Sequence, residues 1–226
     1  MSLCCFPASY LRSQRALQWW QQRQSGRLSC EAEKIRDGLL QESFTIRRSL
    51  ELSLLNEDST STKLNQDLLK KTENLYHCLN QLSDRLSPAY IEDSLPLAIQ
   101  CLVESWQRCN SNVKIEMEFP TVWKQEPRDR SFLILRILDE LLKITLSELV
   151  TELLIHISLK QQEKIGELIV HISYPDILTL DFHWGREDLD YLSQTFQFLT
   201  SGQCFRRREE LTVAWYFRWM TQSDKS

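Results

Sequence analysis

Apolar residues in the first quarter of the chain recur in steps of three, four and seven: Leu28, Ala32, Ile35, Leu39, Ile46, Leu50 and Leu54. Such steps put side chains on one stripe of an α-helix, so residues 9–56 are expected to be largely helical. A run of cap and turn formers follows at 56–62, NEDSTST, and reads as a loop. A second stripe, Leu64, Leu68, Leu75, Leu79, Leu82 and Leu86, ends at Ser87-Pro88, where proline's ring and missing N–H stop a helix. Two amphipathic helices with a short connection predict an antiparallel hairpin. In a lone hairpin each stripe has one partner, whereas two hairpins packed face to face as a four-helix bundle give each helix two. A homodimer through these helices is therefore expected; the alternative is that the stripes pack on the chain's own C-terminal half.

Beyond Pro88 the pattern changes. Leu95, Ala98, Ile99, Leu102 and Trp106 have helical spacing, predicting a helix over 94–107. Residues 113–119 (VKIEMEF) alternate apolar and charged side chains and read as a half-buried strand. A polar loop over 120–130 precedes a helix over 131–150, carrying Leu135, Leu138, Leu142 and Leu149. Strands are expected at 153–160 and 167–173, a third at 177–184, a helix at 188–199 and a final strand at 210–219. This succession predicts an α+β chain, a helical hairpin followed by a two-layer α/β sandwich. Three segments are expected: an N-terminal helical segment, 1–30; the dimerising hairpin, 31–88; and the sandwich, 89–226.

Composition narrows the function. A net charge of −4, from 27 Lys and Arg against 31 Asp and Glu, argues against nucleic-acid binding. No apolar run reaches the roughly 18 residues of a membrane span, and the first ten residues do not form a secretory signal, so a cytoplasmic protein is expected. Seven cysteines, Cys4, Cys5, Cys30, Cys78, Cys101, Cys109 and Cys204, include no CxxC pair; reduced thiols are expected rather than a zinc site. His156 and His171 fall in predicted strands and His77 on the second hairpin helix, and each reads as an ordinary paired or solvated residue. No metal or cofactor is expected.

Two features point to a protein partner. Trp19 and Trp20 lie in a Gln- and Arg-rich helix over 13–24, and aromatics mixed with arginines are enriched in binding hot spots. Arg206, Arg207 and Arg208 form the densest basic run, suited to an acidic partner. The bland readings are packing of the tryptophans on the C-terminal domain and a solvated turn at the arginines.

Local motifs in this order resemble the core of a two-component sensor histidine kinase. Residues 33–42 (EKIRDGLLQE) look like the family's phosphoacceptor helix, Leu86-Ser87-Pro88 with Leu95 and Ala98-Ile99 like the passage into its ATPase domain, and residues 137–142 (ILDELL) like its nucleotide helix. The resemblance spans 31–219 and implies the sandwich of a histidine-kinase ATPase domain. The departures are what matter. Leu40 stands where the phosphoacceptor histidine belongs, and leucine has no nucleophilic atom. Glu140 matches the family's acidic residue, but Ile144 replaces the asparagine that holds Mg²⁺ and phosphates. Residues 173–176 (SYPD), ending at Asp176, replace the Asp-x-Gly-x-Gly turn, and Gly185 stands alone where a glycine-rich lid is expected. The resemblance with these losses implies a pseudokinase: a dimeric adaptor or regulator that binds a response regulator or a complex subunit. The alternatives are a divergent ATP-binding or phosphotransfer protein using Glu140 and His77, and an assembly factor of a larger complex.

Overall fold

The computed structural model describes residues 5–55, 68–76, 78–79, 82, 90–110, 113–146, 153–162 and 164–221. The scarcity of helix breakers before residue 55 is realised as an unbroken helical run: α1 (Cys5–Lys34), a π-helical turn (Ile35–Leu40) and α2 (Gln41–Leu55). The expected boundary at residue 30 therefore falls inside a helix. The chain instead divides after Trp20, into one unit of residues 1–20 and 89–226 and another of 21–88. The cause is packing: Ala16 is 1% exposed, and Trp19 and Trp20 lie against the core of the C-terminal domain, so the start of α1 belongs with that domain.

In the unit of residues 21–88, residues 68–76, 78–79 and 82 are helical. Lys71 Nζ donates to Ser49 Oγ at 3.2 Å, while Cys30 and Glu31 share a cavity with Cys78 and Leu82. Later residues of one segment thus meet earlier residues of the other, which is the antiparallel order of a hairpin. The loop expected at 56–62, Leu64, His77, Leu86 and the stop at Ser87-Pro88 lie outside the described residues.

In the other unit, five strands form one sheet in the order β1-β2-β3-β5-β4: β1 (Val113–Glu118), β2 (Leu153–Gln162), β3 (Ile165–Ser173), β4 (Gln203–Glu209) and β5 (Thr212–Met220). β1 runs parallel to β2, and the remaining pairs are antiparallel. The period-two alternation read in the sequence sorts side chains to two faces. Ile155, Ile172 and Val213 align across three strands, as do Ile157, Val170 and Trp215, and Leu159, Leu168 and Phe217; all nine are buried. The helices α3 (Leu95–Cys109), α4 (Arg128–Leu146) and α6 (Glu187–Thr200) cover that face. α4 is the central one. It buries residues nearly all round, from Ile134 to Thr145, as a helix flanked by two neighbours and a sheet must. The α+β class read from the sequence is the observed one.

Two expectations are corrected. Residues 177–184 form a helix, α5 (Ile177–Trp184), not a strand. Asp176 caps it, its Oδ1 accepting from the Thr179 amide at 2.8 Å and its Oδ2 from Thr179 Oγ1 at 2.9 Å, and this satisfies an amide that a helix start otherwise leaves orphaned. Arg206, Arg207 and Arg208 lie in β4, an edge strand, where a turn was expected; basic residues suit an edge because they oppose pairing with a further strand. The helix expected from residue 131 starts earlier, with Pro127 O accepting from the amides of Arg130 and Ser131. Among the described residues, no helix is long and apolar enough to cross a membrane.

Candidate functional site

Of the residues singled out by the sequence, Glu140, Ile144, Asp176, Trp19 and Arg206 lie on or against the C-terminal half of α4 and the two helices that follow β3. α4 places Asp139, Glu140 and Lys143 within one turn. Lys143 Nζ donates to Asp139 Oδ2 at 2.8 Å and to Glu140 Oε1 at 3.3 Å, and Trp106 Nε1 donates to Asp139 Oδ1 at 3.1 Å. Both carboxylates are buried, and a buried charge is tolerated when paired and hydrogen-bonded in this way. Ile144, one turn on, is part of the hydrophobic core. Its carbonyl accepts from Arg186 Nη1 at 3.1 Å.

Arg186 begins a relay that reaches the N-terminal helix. Its Nη2 lies 3.4 Å from Asp188 Oδ2, and Asp188 Oδ1 accepts from Trp19 Nε1 at 2.8 Å. The Trp19 ring also meets Tyr191, with centroids 6.1 Å apart. One further turn along α6, Thr195 Oγ1 donates to the Ala16 carbonyl at 3.2 Å, in a buried contact. Residues 188, 191 and 195 share one face of α6, and that face receives α1. Trp19 and Trp20, read as a partner-docking pair, are thus half-buried within the domain, with the Trp19 N–H already engaged. Neither Asp188 nor Thr195 stands out in the sequence; their pairing with Trp19 and Ala16 spans more than 160 residues.

The connection from β3 fills the adjoining space. Tyr174 is buried and stacks on His183, with centroids 5.5 Å apart and planes 28° from parallel, while Phe182 meets the same imidazole edge-on at 5.3 Å. Burial raises the Tyr174 phenol well above its ordinary range, so it stays protonated. Asp176 is exposed at the head of α5, where the cap bonds hold its carboxyl below the usual range. Glu140, Ile144 and Asp176 therefore have different surroundings: an ion pair, the core and a helix cap. None of them lines either the cavity of about 520 Å³ beside Arg218, Glu167 and Lys160 or that of about 530 Å³ in the hairpin unit.

The three arginines are split by the alternation of β4. Arg206 pairs with Trp215 in register and lies over the rings of Trp184 at 4.4 Å and Trp215 at 5.4 Å, with Asp190 at 3.0 Å. Arg208 pairs with Asp181 at 2.5 Å. Arg207 lies on the opposite sheet face, over Phe205 and Tyr216. They do not form one basic patch. Among the described residues, no group of three or more histidine, cysteine or acidic side chains is gathered as a metal site.

No protein-family model and no curated protein sequence matches the chain. Solved structures similar to it include histidine kinase domains. The catalytic domain of the histidine kinase ThkA is 17% identical, covering 56% of this chain and 90% of its own, with a TM-score of 0.43. The histidine kinase AdeS of Acinetobacter baumannii is 12% identical over 80% of this chain and 96% of its own, with a TM-score of 0.42. The histidine kinase domain of the Erythrobacter litoralis EL346 blue-light-activated kinase is 11% identical over 78% and 95%, with a TM-score of 0.47.

Proposed function

We propose that this chain is a non-catalytic adaptor: a dimeric, cytoplasmic protein with a histidine-kinase-like fold that binds a response regulator or a subunit of a larger assembly. The observation that carries this reading is the seam at the end of α4. Its residues are already committed to one another: Ile144 to the core with its carbonyl on Arg186, Tyr174 to His183, and Glu140 to Lys143. A nucleotide phosphate needs free cationic or amide donors and a metal-holding oxygen. Here the arginines nearest the seam are paired with Asp188 and Asp190, and opening the seam would break buried contacts.

The dimer is supported by the hairpin unit. Leu28, Leu40, Phe44, Leu50, Leu69 and Leu79 are all exposed there, and exposed apolar side chains in such number favour association. A second copy of the hairpin covers such a surface.

Calorimetric titration of the full chain with ATP and Mg²⁺ tests the central claim. No saturable binding is expected up to the millimolar range, and no phosphate should be incorporated when ATP is supplied. Micromolar binding, or an acid-labile phosphohistidine, would replace the adaptor reading with that of an active enzyme.

A further inference from the structure

α5 carries an apolar face that the fold does not use. Toward the domain it buries Leu180 and His183, and Trp184 packs partly against the core. Ile177, Leu178 and Phe182 are exposed, Leu178 by 82%. At about 100° per residue, positions 177, 181, 178 and 182 follow one another on an arc of about 140°, opposite the buried pair. Exposed apolar residues scattered singly are ordinary, but three on one arc of a two-turn helix form a patch, and such patches mark contacts with another molecule.

The rim of this patch is acidic. Asp176 stands exposed at its N-terminal end, and the cap bonds favour its ionised form. The β4–β5 turn is fastened beside it: the Tyr174 amide donates to the Leu211 carbonyl at 2.9 Å, and the hydroxyls of Ser173 and Thr212 share a hydrogen bond at 3.1 Å. That turn presents Glu209 and Glu210, both exposed. Arg208, which reaches the arc from β4, is neutralised there by Asp181. We propose that Ile177, Leu178 and Phe182, with the carboxylates of Asp176, Glu209 and Glu210, dock an amphipathic helix of a partner protein whose leucine or phenylalanine stripe is flanked by lysine or arginine. Eight residues of helix span about 12 Å, enough to meet two turns of a partner helix with an apolar anchor from each. The acidic rim selects a basic partner and turns away an anionic membrane. A contact this small is transient, with an affinity of tens to hundreds of micromolar expected. The proposal rests on the adaptor reading only in taking a protein as the partner; ATP binding would remove that reading and leave this face in place.

The probe is a fluorescently labelled peptide of about 18 residues, with leucine and phenylalanine on one helical face and lysine on the other. It is titrated with the full chain and followed by anisotropy. Saturable binding below about 1 mM is expected, and Leu178→Ser with Phe182→Ser should weaken it about tenfold or more. Circular dichroism and Tm should be unchanged in that variant, because both side chains lie outside the core. Asp176→Asn keeps a cap acceptor and removes the charge, so it should weaken binding about twofold to fivefold at low salt, with a smaller loss as salt rises. A control peptide with glutamate in place of lysine should bind about tenfold less tightly or worse. No saturable binding below about 1 mM, equal affinity for the two peptides, or full affinity in the serine double variant overturns the proposal; the last places the peptide on another surface, such as the hairpin leucines. Light scattering of the unliganded chain supplies a further check. Self-association lost in the serine double variant would give the face to a second copy of this chain, and that too overturns the proposal.

Discussion

Trp219 donates its indole N–H to Glu126 Oε1 at 2.9 Å, and both side chains are buried. The contact ties the end of β5 to the loop leading into α4, and Arg130 closes it from outside at 3.4 Å. Burial raises the Glu126 carboxyl above its usual range, against the lowering effects of Trp219 and Arg130. The sign of its effect on stability follows from linkage. As pH rises through the ordinary carboxylate range, the unfolded chain gives up this proton before the folded one does, so the folded state loses stability over that window. Above the raised value both forms are ionised and the loss is complete. Glu126→Gln keeps an acceptor for Trp219 and removes the titration. Urea-unfolding midpoints measured from pH 4 to 7 should therefore fall less steeply for Glu126→Gln than for wild type, and the variant should be at least as stable at pH 7. A parallel pair of pH profiles counts against this account.

At the scale of elements, the β4–β5 ribbon hangs on a single small residue. A Cβ on Gly202 would lie 2.2 Å from the Arg218 carbonyl oxygen, an immovable backbone atom, and 2.7 Å from Thr200 Oγ1. Ser201 before it bends in the left-handed region, with φ 53°. Gly202→Ala should cost about 1–3 kcal/mol, read as a lowered urea midpoint. Asp176→Ala should cost about 1 kcal/mol through the lost α5 cap. The elements differ in how legible they were. β2, β3 and β5 place apolar residues at every second position along most of their length and α4 repeats apolar residues over many turns, so their class followed from periodicity. Residues 177–184 (ILTLDFHW) are short and apolar, a run in which strand and helix look alike; the helix signal was the cap pair Asp176 and Thr179, and its capping member lies just outside the run. β4 was hidden because three consecutive arginines mask its alternation: Arg206 and Arg208 turn toward the helices and Arg207 away. The seam itself was half legible. Glu140 and Ile144 were located by resemblance, but the Trp19–Asp188 contact joins residues 169 apart, with no local pattern to announce it.

For the whole molecule, the proposed association rests on the hairpin unit. Leu40 is 60% exposed and Phe44 70% exposed, one turn apart on the same helical run. Leu40→Asp with Phe44→Asp puts charge on that surface without touching the sandwich core. Size-exclusion chromatography with light scattering should give a dimer for wild type and a monomer for the double variant, with thermal unfolding of the sandwich little changed. A wild-type monomer at tens of micromolar removes the hairpin as an assembly surface. The first of these residues, Leu40, closes the π-helical turn at Ile35–Leu40. A π turn closes with one residue more than the α ladder around it, so it absorbs a residue that α counting credits with about 100° of rotation. The leucines before and after the turn therefore do not share the single azimuth that counting in threes and fours assigns them. Deleting one residue there would let the run close as plain α-helix with Ile46 and Leu50 held near their present azimuth, whereas the same deletion early in α2 would swing both by about 100° about the axis, presenting a different seam to whatever lies alongside.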